Sequence, residues 1–257
     1  ETMFSCHTDT VHSHTAPYSV LEYDGGYVRV KGGGVLGADC ATGWEIMLQL
    51  LEAGVHGLYV WHREEEIGGR GSAYAVQDPA TIELLKGTKR CIAFDRSGYS
   101  SVITHQGGGI PCASYEFATA LATELNRGIS QHSKLCFGDY EPDNTGIFTD
   151  SFQYRHLIPE CTNISVGYLS EHTKKEAQDL YFMQALIETL KGINFNALPT
   201  VRDCSAPDTV SDEYAAEYAL AECDAMALLL EDKPYEVADY LMTLGVTVDD
   251  IYEAIHK

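Results

Sequence analysis

Acidic and imidazole side chains stand where several apolar runs of this sequence end, and side chains of these types bind divalent metal ions. Each lies at the end of a predicted strand or at a strand-to-helix turn, where distant segments meet at one edge of a sheet. They are His7, Asp39, Glu65, Glu66, Asp95 and His172. Imidazole and carboxylate groups are good zinc ligands, and one carboxylate can bridge two cations roughly 3.5 Å apart. The set is therefore typical of a two-metal site, with one carboxylate left over as a base.

Residues next to these candidate ligands in the sequence are suited to hold them in place. Asp9 lies two residues after His7, on the same side of an extended strand, and we interpret it as a residue that orients the imidazole. Asp39 comes just before a predicted helix, between glycines that permit a tight turn. The acidic pair at residues 65–66 precedes a second glycine turn. The His-Ser-His run at residues 12–14 is interpreted as a loop contact or a surface pair.

The elements that must position these residues alternate along the first three quarters of the chain. Short apolar runs alternate with helical patterns, which is typical of a layered α/β fold. The predicted strands are residues 2–6, 27–31, 57–62, 90–94, 100–104 and 163–168. The predicted helices are residues 41–53, 79–86, 114–127 and 173–191. The first predicted helix has an apolar face, because large apolar residues recur at helical spacing at Trp44, Met47, Leu48 and Leu51. We expect this face to pack on the sheet.

The character of the chain changes near residue 196. We expect residues 1–195 to form the domain that carries the chemistry and residues 196–257 to form an acidic helical region after a linker. Two interpretations of the acidic region stay open. It is either a solvated face on a small helical hairpin or a docking module for a partner.

Charge and cysteine content exclude several classes of function. The 257 residues include 17 Lys and Arg against 38 Asp and Glu, a formal net charge of −21, which would repel nucleic acid and anionic membranes. The eight cysteines form no Cys-x-x-Cys pair, which argues against a zinc knuckle or a redox motif. Many lie in apolar runs, so we expect reduced thiols and a cytoplasmic setting. No apolar stretch approaches the roughly 20 residues that span a bilayer.

The motifs that carry the candidate ligands resemble, in content and in order, those of the co-catalytic di-zinc metallopeptidases. This family includes bacterial aminopeptidases, peptidase-T-like tripeptidases and related deacylases. The matching motifs are Cys6-His7-Thr8-Asp9-Thr10-Val11, Gly37-Ala38-Asp39, Glu65-Glu66-Ile67-Gly68-Gly69-Arg70-Gly71-Ser72, Phe94-Asp95-Arg96, and Ser165-Val166-Gly167-Tyr168 leading to Glu171-His172-Thr173. The resemblance spans about residues 1–192. It implies a three-layer α/β/α domain with a mostly parallel or mixed central sheet, followed here by a small C-terminal helical appendage.

Carried over position by position, the resemblance implies a role for each residue. The implied metal ligands are His7, Asp39 as the bridging carboxylate, Glu66, Asp95, and His172, which completes the second site. Glu65 matches the general base of the family, and Asp9 matches the aspartate behind the first imidazole. The implied cofactor is a pair of divalent metal ions, with zinc as the expected metal. A water molecule activated by the pair would attack the peptide carbonyl while Glu65 transfers its proton.

The chain also departs from the family pattern. Cys40 stands where relatives commonly carry a second aspartate. The peptide after the bridging aspartate is often cis in the family, so the resemblance still implies a cis bond between Asp39 and Cys40. The interval from Asp95 to His172 contains no obvious inserted lid domain. The start is shorter than in relatives, so we expect a first helix or strand to be missing. The segment Gly146-Ile147-Phe148-Thr149-Asp150-Ser151, in contrast, resembles a family loop that borders the substrate pocket. The resemblance makes Asp150 a candidate ligand for a substrate ammonium group, and Asp150 is equally well interpreted as a turn or helix-capping acid.

These observations predict a metallopeptidase, first of all an aminopeptidase acting on short peptides. One alternative is a deacylase or carboxypeptidase of the same family, the deacylase acting on N-acyl amino acids. The other is a catalytically inactive metal-binding protein that docks a partner. Neither nucleic acid nor a membrane is expected as a partner, and a homo-oligomer is compatible with the sequence.

Overall fold

A six-stranded mixed sheet forms the centre of the fold. The computed structural model describes residues 1–11 and 19–209. The strands are β1 (Thr2–His7), β2 (Leu21–Asp24), β3 (Tyr27–Val30), β4 (Leu58–His62), β5 (Arg90–Arg96), β6 (Ser101–Ile103), β7 (His105–Gln106), β8 (Ile110–Pro111), β9 (Glu141–Asp143), β10 (Glu160–Ser165), β11 (Tyr168–Leu169) and β12 (Ala177–Asp179). The helices are α1 (Ala38–Glu52), α2 (Arg70–Ala75), α3 (Pro79–Leu84), α4 (Tyr115–His132) and α5 (Leu180–Lys191), with 3₁₀ helices at Asp150–His156 and Phe195–Ala197. Every strand predicted from the sequence overlaps an observed strand.

The strand order of the central sheet brings distant residues to one edge. The order is β4-β1-β5-β10-β6-β9. Strand β1 pairs in parallel with β4 and β5, and β10 pairs in parallel with β5, so four adjacent strands end at the same edge. Strand β6 runs antiparallel to β10, which makes the sheet mixed. His7 ends β1 and Asp95 lies near the end of β5, so the parallel pairing itself places them at this edge.

Helices cover both faces of the central sheet. Along β1, Phe4 and Cys6 point into one core and Met3 points into the other, as strand alternation requires. The larger core contains side chains of α1, α4 and α5. The smaller core lies under α2, the end of α3 and the 3₁₀ helix at Asp150–His156. The predicted three-layer α/β class with a mixed central sheet is confirmed.

Helix α1 lies against β1 and β5 with no space for a side chain at Gly43. A Cβ atom there would lie 2.6 Å from the Cβ of Cys6 and 2.6 Å from the carbonyl oxygen of Phe94. Real Cβ atoms do not come this close to such neighbours. Glycine at this position therefore permits the close packing of the helix on the sheet.

The predicted buried face of α1 was partly wrong. Met47 is fully buried, and the buried stripe continues through Ile46 and Leu50. The other predicted members are 39%, 41% and 44% exposed, namely Trp44, Leu48 and Leu51. The helix turns the face containing Gly43 toward the sheet, because that face allows the closest approach. Hydrophobic spacing alone could not reveal this, since glycine adds nothing to an apolar stripe.

The helix predicted over residues 173–191 begins later than expected. Residues Ala177–Asp179 form β12, which pairs with β3 in a second sheet of order β11-β12-β3-β2. Helix α5 follows directly, and Oδ1 of Asp179 accepts hydrogen bonds from the backbone N–H groups of Tyr181 and Phe182. This N-cap fixes the start of the helix and ends the strand before it.

The first compact unit of the chain runs over Glu1–Thr209. The predicted acidic helices fall on residues 210–257 and the His-Ser-His run on residues 12–14, so both lie outside the described residues. The predicted division after residue 195 therefore stays a prediction.

The cysteines in the described part of the chain are free thiols, which agrees with the expected reduced state. The buried ones are Cys6, Cys40, Cys91, Cys112 and Cys161. Across residues 1–11 and 19–209, no helix has both the length and the apolar character needed to cross a bilayer.

Candidate metal centre

One imidazole and two carboxylates from separate segments form the first group of candidate ligands. Nε2 of His172 lies 2.8 Å from Oδ2 of Asp39 and 2.8 Å from Oε1 of Glu66. One ligand atom from each of the three lies within 4.8 Å of the others. Ligands of a tetrahedral zinc ion stand roughly 3.4 Å apart when each bond is near 2.1 Å. The spacing of these groups therefore suits a shared cation.

His7 and Asp95 form a second group beside the first. Nε2 of His7 lies 3.2 Å from Oδ1 of Asp95. One ligand atom each of His7, Glu65 and Glu66 also lies within 4.8 Å of the others. Glu65 therefore lies close to His7 of the second group and to Glu66 of the first group. The structure brings the predicted ligands and the predicted base together around one cavity, while their individual roles stay predictions.

The N-terminus of α1 positions Asp39. Gly37, just before the helix, has a φ of 69°, a left-handed conformation that glycine adopts without steric cost. Asp39 then lies in the first turn, where the free N–H groups favour negative charge. The predicted cis peptide bond between Asp39 and Cys40 was wrong, since this bond is trans. Both residues belong to the first turn of a regular helix, and helical geometry requires trans peptides.

Asp9 connects strand β1 to the acidic pair. Its Oδ1 accepts a hydrogen bond from the backbone N–H of Glu65 at 3.1 Å, and its Oδ2 accepts one from the N–H of Glu66 at 3.2 Å. Nδ1 of His7 lies 3.8 Å from Oδ1 of Asp9, beyond hydrogen-bond distance. Asp9 therefore holds the acidic pair more directly than it orients the imidazole, a contact that the sequence interpretation missed.

Two of the turns that carry candidate ligands contain non-glycine residues in left-handed backbone conformation. Glu64 has a φ of 62°, and Ser170 and His172 each have a φ of 58°. Such conformations cost roughly 1 kcal/mol or more for residues with a Cβ atom, and they cluster at functional sites. The surrounding structure holds both turns in shapes that their sequences do not favour.

The site concentrates negative charge in a buried place. Burial and the charge of Asp95 raise the pKa of Glu65 to about 8. Burial also raises the pKa of Glu66 to about 7, although the charge of His172 opposes this. Burial lowers the pKa of His7, but its hydrogen bond with Asp95 and the surrounding carboxylates outweigh that effect and raise it to about 10. Bound cations would relieve the repulsion between these carboxylates.

The donor set fits a divalent cation. Asp39, Glu66 and His172 would hold one ion, and the resemblance assigns His7 and Asp95 to a second. The bridging role of Asp39 stays a prediction, and carboxylate and imidazole donors match the preferences of zinc.

An open cavity of about 250 Å³ lies over the candidate ligands. Its lining also includes two side chains of opposite charge, Arg96 and Glu171, and the apolar side chains of Ile103, Ile147 and Phe148. The Arg96 guanidinium donates a hydrogen bond to Oγ1 of Thr145 at 3.1 Å, which anchors it at the wall. Pockets for drug-sized ligands usually hold about 300–1,000 Å³, so this cavity suits a short stretch of substrate.

Asp150 is buried beside the site and does not line the cavity. It is 1% exposed, and its Oδ2 lies 3.3 Å from Nδ1 of His62. Burial raises the pKa of Asp150 to about 7 and lowers that of His62 to about 4, because it disfavours the charged form of each group. His62 also forms hydrogen bonds with Oγ of Ser5 at 3.1 Å and with the hydroxyl of Tyr154 at 2.8 Å. The predicted contact of Asp150 with a substrate ammonium stays a prediction, and this location does not support it.

Sequence reasoning missed the residues that hold Asp95. Oδ1 of Asn163 accepts a hydrogen bond from the Asp95 N–H at 3.0 Å, and the Tyr168 hydroxyl donates one to the Asp95 carbonyl oxygen at 2.8 Å. Both residues also line the cavity. Their signal in the sequence is weak, because a polar residue in a buried strand does not reveal its partner.

No protein-family model and no curated protein matches this sequence. Solved structures do share its fold. The aminopeptidase PepT from Bacillus cereus superposes with a TM-score of 0.52 and 13% sequence identity, covering 74% of this chain and 79% of that chain. A tripeptidase from Staphylococcus aureus superposes with a TM-score of 0.52 and 15% identity, over the same shares of the two chains. At these identities the likeness shows a shared fold, as the resemblance to di-zinc metallopeptidases led us to expect.

Proposed function

We propose that this chain is a metal-dependent hydrolase that removes N-terminal residues from short peptides. The observation that carries the proposal is the meeting of the candidate ligands and the candidate base around one cavity. These residues are His7, Asp39, Glu65, Glu66, Asp95 and His172. The fold shared with an aminopeptidase and a tripeptidase supports the same class of reaction.

The chain's own residues account for proton transfer and substrate placement. Two divalent cations, with zinc the first choice, would polarise the scissile carbonyl and lower the pKa of a water molecule. Glu65 would accept the proton of the attacking water and deliver it to the departing amine. Asp9 keeps Glu65 in place through the backbone. Glu171, exposed in the cavity lining, offers a carboxylate for the substrate ammonium, which buried Asp150 does not.

Hydrolysis of unblocked and N-acetylated dipeptides by the zinc-loaded protein tests this proposal. The unblocked peptides should be cleaved, and Glu65→Gln should keep its metal while losing roughly 10²–10⁴-fold in turnover. Fewer than about one metal ion per chain, with no gain of activity on adding zinc, would favour the inactive docking protein instead. If Glu65→Gln still hydrolysed the peptides at the wild-type rate, Glu65 would not be the general base.

Arg96 favours a second candidate function within the same reaction class. Arg96 follows the candidate ligand Asp95 in the sequence and lines the cavity. Its guanidinium, which lies 3.6 Å from Oδ2 of Asp143, could also pair with a substrate carboxylate. A carboxylate beside the cleaved bond is typical of carboxypeptidase substrates and of N-acyl amino acids. Cleavage of only the N-acylated dipeptides would favour this candidate over the aminopeptidase.

A further inference from the structure

Glu176 is a buried carboxylate that connects the two segments carrying Asp39 and His172. It is 1% exposed. Its Oε2 accepts hydrogen bonds from the backbone N–H groups of Leu36 at 2.6 Å and Gly37 at 3.2 Å, and its Oε1 accepts one from Ala38 at 2.7 Å. Both oxygens are thus occupied by the loop that leads into α1.

This contact replaces an ordinary helix cap. The residue at the N-cap of α1 is Gly37, which has no side chain to accept a hydrogen bond. The free N–H groups at a helix start need acceptors, and a carboxylate is favoured there. Glu176 provides that acceptor from a segment 138 residues further along the chain than Ala38. Asp39 follows Ala38 in the first turn of α1, so its position depends on the same contact.

The other end of the connection is the turn that carries His172. Within this turn the N–H of Thr173 donates to the carbonyl of Ser170, and the N–H of Glu176 donates to the carbonyl of Thr173, each at 3.3 Å. The turn is therefore a short hydrogen-bonded unit with His172 inside it and Glu176 at its end. The three hydrogen bonds of Glu176 connect the end of this turn to the start of α1, while Ser170 and His172 adopt left-handed conformations within it.

We propose that Glu176 is a positioning residue of the metal centre, which fixes the separation of Asp39 and His172 before an ion binds. The inference rests on the proposed function, because it assumes that these two side chains share a cation. Residues behind metal ligands typically change metal affinity by roughly 10–100-fold when they are replaced. Glu176→Gln keeps the shape of the side chain but retains only one acceptor oxygen, so it cannot satisfy all three N–H groups.

Glu160 provides a matched control. It is also fully buried, and its carboxylate accepts hydrogen bonds from the backbone N–H groups of Ser114, Val201 and Arg202, away from the cavity. Glu160→Gln should therefore lower stability without changing metal binding. The pair of variants separates a role in the metal centre from a general role in folding.

The experiment is calorimetric titration of zinc into the full-length metal-free protein, together with the visible spectrum of bound cobalt. Glu176→Gln should bind zinc roughly 10–100-fold more weakly and show a changed cobalt spectrum, while Glu160→Gln should bind like the wild type. Wild-type affinity in Glu176→Gln, or equal losses in both variants, would overturn the inference.

Two further outcomes keep the test decisive. If Glu176→Gln does not fold, Glu176→Asp, which keeps the charge on a shorter side chain, should still bind zinc more weakly than the wild type, and unchanged binding would refute the positioning role. If the wild type itself binds no zinc, the proposed function fails as well. Zinc binding by the wild type with no effect of either Glu176 variant removes the positioning role alone.

Discussion

Nε2 of His172 lies 2.8 Å from Oδ2 of Asp39, although 133 residues separate them in the sequence. One side chain comes from the first turn of a helix, and the other comes from a turn in left-handed conformation. Glu66 reaches the same imidazole nitrogen from a third segment. A close approach of acidic groups in a buried place is costly unless a positive charge compensates it, which is the physical basis for expecting a cation here.

Zinc should stabilise the folded protein. An ion that binds only the folded state at 100 times its dissociation constant adds about 2.7 kcal/mol to the free energy of unfolding. Urea unfolding with and without zinc measures this gain. The gain should shrink in His172→Ala and persist in a variant of an exposed histidine, His56→Ala. An equal gain in all three proteins would place the zinc elsewhere.

Replacing Asp9 should impair turnover more than stability. Asp9→Ala removes both acceptors that hold the backbone of Glu65 and Glu66, and we expect roughly a 10–100-fold loss in kcat. Asp9→Asn keeps one oxygen acceptor and should lose less. Asp78→Asn is the control, since Asp78 also accepts a backbone hydrogen bond, from Thr81 at the start of α3. Normal kcat in Asp9→Ala would contradict the prediction.

Gly43→Ala should destabilise the fold strongly. The added methyl group would meet the carbonyl oxygen of Phe94, which is backbone and cannot rotate away, and overpacking of this kind costs about 1–3 kcal/mol or more. Gly192→Ala is the matched control, because its Cβ would meet its nearest neighbour at an ordinary 3.5 Å. Thermal and urea unfolding of the two variants measure the difference. Equal stability would show that α1 can move away from the sheet.

The buried imidazole of His62 should make stability depend on pH. Burial lowers its folded-state pKa to about 4 from the ordinary value of 6.5, so only the unfolded state binds a proton between these values. The stabilising contribution is complete above pH 6.5 and is lost as the pH falls toward 4, a change of about 3 kcal/mol. Urea unfolding of metal-free protein from pH 7 to pH 4 should show the wild type losing its advantage over His62→Gln. The control His56→Gln should follow the wild type, and parallel curves for all three proteins would disprove the effect.

The order of elements was predictable because it depends on local patterns. Apolar runs locate the strands, and helical spacing locates the helices. Parallel strands place their carboxyl ends together, so residues such as His7 and Asp95 could be expected at one edge of the sheet. The grouping of the candidate ligands follows from that topology and from the family motifs.

The remaining features depend on contacts that no local pattern encodes. The rotation of α1 follows from the close approach at Gly43, which a hydrophobic stripe does not register. The start of α5 depends on β12 pairing with β3 and on the cap at Asp179. Glu176 and Asp150 are acidic residues of similar sequence character, yet one binds backbone N–H groups and the other lies beside an imidazole. Only the tertiary structure distinguishes them.

The candidate ligands enter the chain in a fixed order, and His172 is the last of them. A nascent chain leaving the ribosome cannot complete the centre until that residue and the turn around it have emerged, by which time the strands of the central sheet have already been synthesised. Any cation held by all of these ligands would thus be taken up late in maturation, after every strand of the central sheet has been synthesised.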